Sequence, residues 1–144
     1  MTTNYNKKHH LQLLKQRSMG ENSNGDELLG YSCILENQLE WEIRDQYLEL
    51  IEEFLKENIS MLEFFAELQI KNYLIIDAVV FLEKHRILLS PDKKSSKFGE
   101  LLEAVTDHLE DDLDFIGDEL KNLIQENCIK IKKYLNEVSG EDER

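Results

Sequence analysis

From Glu40 onward the apolar positions recur at helical spacing with few interruptions. Ile43, Tyr47, Leu50, Ile51, Phe54 and Leu55 fall at three- and four-residue steps, and Glu49, Glu52, Glu53 and Lys56 take the other face. That pattern predicts an amphipathic helix ending near Asn58. The next start is written in local chemistry: Ser60 as N-cap, Glu63 three residues on as its reciprocal partner, and Ile59 placed to staple onto Phe64. Between Tyr73 and Leu82 the chain is apolar almost all round, with Asp77 its one charge. The β-branched Ile75, Ile76, Val79 and Val80 would suit a strand. Helical signals on both sides and the lack of a partner strand favour a buried central helix. Ser90–Ser96 is a break, because Pro91 disfavours helix at Ser90 and turn formers follow. Phe98, Leu101, Leu102, Val105, Leu109 and Leu113 then start another stripe. Gly117 ends it, and Asp118 is placed to cap a last helix carrying Leu120, Leu123, Ile124, Cys128, Ile131 and Leu135.

The first forty residues read differently. Ser18–Asp26 gathers Gly, Asn and Ser with almost nothing apolar, as a linker does. Before it, His10–Arg17 has the makings of a short helix bearing Leu11, Leu13 and Leu14, marginal in isolation at that length. After it, Asp26–Leu39 predicts a further short helix. With no fixed-period repeat and no hairpin signal, the expected fold is all-α, a small antiparallel bundle of about four main helices with a poorly ordered N-terminal extension. The expected division is a flexible basic head and linker over 1–40, a helical bundle domain over 41–138 and a frayed tail over 139–144.

Charge changes the picture more than composition does. The chain has 144 residues, one domain's length, and a net charge of −13. Residues 1–20 hold Lys7, Lys8, Lys15 and Arg17 and no acid, so that +4 head leaves −17 on residues 21–144. A protein that grips phosphates needs a clustered basic surface, so direct nucleic-acid binding is not expected. No window approaches the roughly 20 apolar residues that cross a bilayer, and the start lacks the apolar segment of a secretory signal. Cys33 and Cys128 are too few for a disulfide framework and read as reduced thiols. The expected setting is the cytoplasm. Twelve Ile and ten Asn against three Ala and one Pro follow the codon bias of an A/T-rich genome, which makes a plastid stroma the alternative setting. An acid-free, Lys-containing head also suits a transit peptide, although it has one Arg and few Ser.

Catalytic and metal templates were tested against the sequence. A di-iron bundle needs Glu-x-x-His, but Val105 precedes His108 and Leu82 precedes His85 at that spacing. His108 and Asp112 are four apart and could hold one cation, although a solvated acidic face is the simpler reading. Asp112, Asp114 and Gly117 match calcium-loop positions one, three and six, but Ile116 and Leu123 stand at five and twelve. There is no phosphate loop, no nucleophile elbow and no Cys with a recognisable His partner. The expectation is a non-enzymatic protein with no metal and no cofactor. Asp77, a lone carboxylate in an apolar run, reads as paired, protonated, exposed at a helix edge or part of a functional surface.

The sharpest feature is Glu100–Glu119, with nine acids and no Lys or Arg. Asp111, Asp112 and Asp114 fall where the helix macrodipole is already negative, which is locally unfavourable. Kept for solubility, the stretch is a solvated face; kept for binding, it steers a basic partner. The candidate contact residues are Asp107, Glu110, Asp111, Asp112 and Asp114.

Three stretches, Phe54–Phe64, Leu88–Leu102 and Ile129–Leu135, resemble in order the colicin-like immunity family of the colicin D type, and most of all its divergent plastid and cyanobacterial relatives. The resemblance covers about Tyr47 to Leu135. It implies a helical bundle that binds a basic, tRNA-cleaving nuclease domain through an acidic face and blocks it. It transfers no inhibitory residue, so the candidates above rest on charge. The alternative expectation is a small helical accessory or assembly subunit with no toxin partner, using apolar residues that do not fit one core.

Overall fold

A computed structural model describes residues 5–21, 25–112 and 118–142, without the side chains of 109–112 and 140–142. The described residues form six helices and no strand: α1 (Lys7–Ser18), α2 (Gly25–Glu42), α3 (Arg44–Leu55), α4 (Met61–Lys84), α5 (Ser95–Asp112) and α6 (Asp118–Asp142). The fold is all-α, and α3 to α6 are the four main helices expected from the periodicity. The stretch 1–40 contributes α1 and most of α2, and α2 packs along α5 and against α4. The tip of the expected linker, residues 22–24, lies outside the described residues, as do residues 113–117 with Asp114.

Local chemistry sets the helix ends. At Ser60 the capping box is closed: Glu63 N–H donates to Ser60 Oγ at 3.1 Å, and Ser60 N–H donates to Glu63 Oε1 at 3.2 Å. Asn6 caps α1, its side chain accepting from His9 N–H at 3.1 Å. Between α2 and α3 only Ile43 leaves the helix, and Arg44 holds the corner by donating to the Trp41 carbonyl at 2.9 Å while its guanidinium lies 4.2 Å from the Trp41 ring. Helices α3 and α4 both end on a non-glycine residue in the left-handed region, Glu57 (φ 62°) and Arg86 (φ 58°). In each case the N–H of that residue and the N–H of the next donate to carbonyls of the last turn, the pattern that glycine usually closes.

The main core gathers Trp41, Tyr47, Ile51, Phe54, Phe64, Phe98, Val105, Ile124, Cys128 and Ile131 from α2 to α6. Phe54 and Phe64 stack at 4.5 Å, and Trp41 meets Phe98 edge to face at 5.7 Å. A smaller cluster of Leu13, Leu14 and Leu28 seats α1 on α2, with Tyr31 and Leu88 against it. Helix α2 approaches α5 at Gly99, where an added Cβ would lie 2.1 Å from Asn37 Oδ1. Among the described glycines it is the one where a missing side chain sets helix spacing. Buried Gln38 pins the connection before α5, its Oε1 accepting from Asp92 N–H at 2.6 Å.

One expectation is corrected. Tyr73–Leu82 is helical and not a strand, but it is not buried all round: Ile75 and Val79 are buried, while Tyr73, Leu74, Ile76, Val80 and Phe81 are exposed. Helix α4 packs on one side against α2, α3 and α5 and meets α1 near its C-terminal end, while the residues named on its other side stay exposed.

Candidate functional site

The predicted acids divide by what the structure describes. Asp107 is exposed on α5, in line with exposed Glu103 and Glu100 at helical spacing. The backbone of Glu110, Asp111 and Asp112 continues α5, but their side chains, and all of Asp114, lie outside the described residues. The same limit covers Asp112 as a ligand beside His108, and among the described residues no group of three or more His, Cys, Asp or Glu is arranged to hold a metal.

The structure adds two acids that charge counting missed. Glu36 and Glu40 lie one turn apart on α2, and Glu40 comes within electrostatic reach of Glu103 on α5, the helix that approaches α2 closely at Gly99. Burial, then Glu36, then Glu103 push the Glu40 carboxyl up to about 8. Glu36 is raised by burial and by Glu83. Cys33, exposed on α2, is raised by its partial burial and by Glu36, Glu103 and Glu40, so its thiol is less ionised than an ordinary cysteine's and a poor nucleophile. The α2–α5 seam is thus a place where a cation would be welcome. The only sequence signal for it was the i, i+4 spacing of Glu36 and Glu40.

A second polar group lies under α1. His10 is fully buried, with Nδ1 2.6 Å from the Tyr5 hydroxyl and Nε2 2.9 Å from Glu83 Oε2, while Tyr31 stacks on its ring. The Ser32 hydroxyl is 3.0 Å from both Glu83 carboxylate oxygens. A neutral imidazole satisfies both neighbours, accepting from Tyr5 and donating to Glu83. Both ring nitrogens are engaged and Ser32 faces the carboxylate, so the arrangement fastens α1 to α2 and α4. Burial, Glu83 and Tyr31 raise Tyr5 to about 12.

The third feature is the uncovered side of α4. Leu62, Ile70, Tyr73, Leu74, Val80 and Phe81 are each between 52% and 64% exposed, on the side of the helix away from buried Phe64, Leu68, Ile75 and Val79. Asp77 is exposed in the middle of this stripe. The stripe exposes on the order of 600 Å² of apolar side chain, at the upper end for the largest patch on a monomer. Its C-terminal end borders an open cavity of about 430 Å³ lined by Leu14, Arg17, Val80, Glu83, Lys84 and Arg86. The sequence predicts Tyr73, Leu74, Val80 and Phe81 in a buried helix and assigns no face to Leu62 and Ile70, so the surface they form is new.

No helix among the described residues is long and apolar enough to cross a membrane. In comparison with known proteins, the chain matches no family model, no curated protein and no solved structure.

Proposed function

We propose that the protein is a non-enzymatic binding module of the immunity type, which docks a basic protein, such as a nuclease domain, on its acidic helices and blocks it. The observation that carries this reading is the α2–α5 seam, where burial, Glu36 and, from the other helix, Glu103 raise the affinity of Glu40 for a proton. A Lys or Arg placed there favours the ionised form of Glu40, and exposed Asp107 extends the run of acids along α5. Glu110, Asp111, Asp112 and Asp114 continue that run in sequence. The setting of such a complex is the cytoplasm, or the plastid stroma for a plastid-encoded chain.

The test is native co-purification on the full chain, followed by association kinetics with the recovered partner. The expected partner is a basic protein bound one to one, with an on-rate that falls about tenfold or more between low and high salt. Replacing Glu36, Glu103, Asp107, Glu110, Asp111, Asp112 and Asp114 by their amides should weaken the complex at least as much. An affinity indifferent to those substitutions sinks the reading. The α4 stripe specifically favours a second reading, an assembly subunit that meets protein through an apolar face; it predicts a complex lost on Leu74→Glu and untouched by the amide set.

A further inference from the structure

The geometry points to a second copy of this chain as the occupant of the α4 stripe, with the two α4 helices antiparallel across a twofold axis. This rests on the reading of the stripe as a protein interface and names what covers it. The stripe has a direction. Its N-terminal end is acidic, with exposed Glu63 and Glu67; its C-terminal end is basic, with exposed Lys84 followed by Arg86. Arg17 of α1 joins that basic end across the cavity beside Val80. A parallel neighbour would set like charges together, whereas an antiparallel copy sets each acidic end against a basic one, twice by symmetry.

One register satisfies the apolar and the charged positions together. When Ile70 lies across from Phe81 of the second copy, Leu74 lies across from Asp77 and Glu67 from Lys84, because each pair sums to the same value in an antiparallel array. Ile70, Leu74, Asp77, Phe81 and Lys84 recur at alternating four- and three-residue steps, the spacing by which paired helices keep one seam in contact, and Tyr73 and Val80 flank that seam. The apolar area, on the order of 600 Å² on each copy, becomes with its charged margins close to the roughly 800 Å² per partner of a stable interface. Asp77 falls inside the seam beside Tyr73 of the second copy, whose hydroxyl is free to turn toward it. A single polar seam position of this kind fixes register and direction while lowering affinity. Two bodies of charge −13 repel. At physiological salt that repulsion decays over about 8 Å, which leaves the matched ends of the stripe to decide the orientation.

The experiment is sedimentation velocity on the full chain over about 1 to 200 µM, the range in which interfaces of this size associate when a buried polar group weakens them. The wild type should pass from monomer to dimer. Leu74→Glu with Phe81→Glu, both at exposed positions and checked for unchanged helicity by circular dichroism, should weaken association by about a hundredfold or more. Glu67→Lys alone and Lys84→Glu alone should each weaken it about tenfold, and the two together should restore it, since both symmetric pairs are then re-formed in reverse. Asp77→Leu should tighten it. A wild type that stays monomeric throughout overturns the second copy as occupant, as does a dimer indifferent to Leu74→Glu with Phe81→Glu. A double reversal that fails to rescue overturns the antiparallel register. A monomer that holds a different protein, and loses it on Leu74→Glu with Phe81→Glu, overturns the dimer but leaves the stripe an interface. If those two substitutions change neither self-association nor any captured complex, both fall.

Discussion

Glu40→Gln should stabilise the protein at and above neutral pH and leave it unchanged near pH 4.5. The carboxyl of Glu40 titrates at 4.5 in an unfolded chain and at about 8 in the fold, through burial first and then through Glu36 and Glu103. Below the unfolded value the group is neutral in both states and its burial carries no penalty. As pH rises toward the folded value the unfolded chain ionises freely while the folded one does not, so stability falls across pH 4.5 to 8. At 1.36 kcal/mol per unit this amounts to about 3 kcal/mol at pH 7, and about 2 kcal/mol once the remaining solvent contact of the side chain is allowed for. Gln keeps the shape and removes the proton linkage. Thermal unfolding of both proteins at pH 5, 6, 7 and 8 reads the difference: the melting temperatures should converge toward the acid end and separate by roughly 6 °C at pH 7 and further at pH 8, on a scale of about 3 °C per kcal/mol for a domain of this size. Parallel curves, or a gap that closes as pH rises, would refute the seam as described.

Gly99→Ala should cost about 1–3 kcal/mol, because its Cβ would stand 2.1 Å from Asn37 Oδ1. Asn37→Gly should recover most of that in a double-mutant cycle measured by urea unfolding. His10→Ala leaves the Tyr5 hydroxyl and Glu83 without their imidazole partner, so α1 should detach before the bundle unfolds. Hydrogen exchange at Leu13 and Leu14 should accelerate at least tenfold, and the Tyr5 phenol should titrate back from about 12 toward 10 in ultraviolet absorbance. Arg86→Gly relieves a left-handed non-glycine backbone (φ 58°) at the end of α4. The gain, less the added freedom of the unfolded chain, should be about 0.5–1 kcal/mol by the same unfolding assay.

What was legible in the sequence is what local chemistry decides. Ser60 and Glu63 lie three residues apart and need nothing else to start α4. The 3–4 spacing of Phe98, Leu102 and Val105 marks the buried face of α5 whatever it meets. The sequence predicts a short helix over Asp26–Leu39 where α2 runs Gly25–Glu42, and its buried stripe, Leu28, Leu35, Gln38 and Trp41, includes a glutamine whose burial makes sense only once Asp92 N–H arrives from the connection before α5. His10 depends on Glu83, 73 residues away, and no pattern within the head announces it. Tyr73–Leu82 failed for a different reason: all-round apolarity says a helix would accept neighbours on every side, not how many it has. The acidic seam is likewise tertiary. Glu36 and Glu40 are unremarkable on α2 until the bare backbone of Gly99 brings α5 beside them.

The net charge of −13 therefore describes a sorting more than a uniform field. Carboxylates gather where α2 meets α5, and Arg17, Lys84 and Arg86 gather with Leu14 and Val80 where α1 meets the end of α4. A uniformly acidic body would repel its own copies on every side and attract cations without direction. The sorted one offers a basic partner its carboxylate seam and offers its own copy a stripe whose ends are complementary. Salt then acts on the two in opposite senses. It screens the attraction that steers a cation to Glu36, Glu40 and Glu103, and it also screens the repulsion between two −13 bodies whose contact is mainly apolar. Raising ionic strength should slow the first association and spare or strengthen the second, so one variable separates the two surfaces.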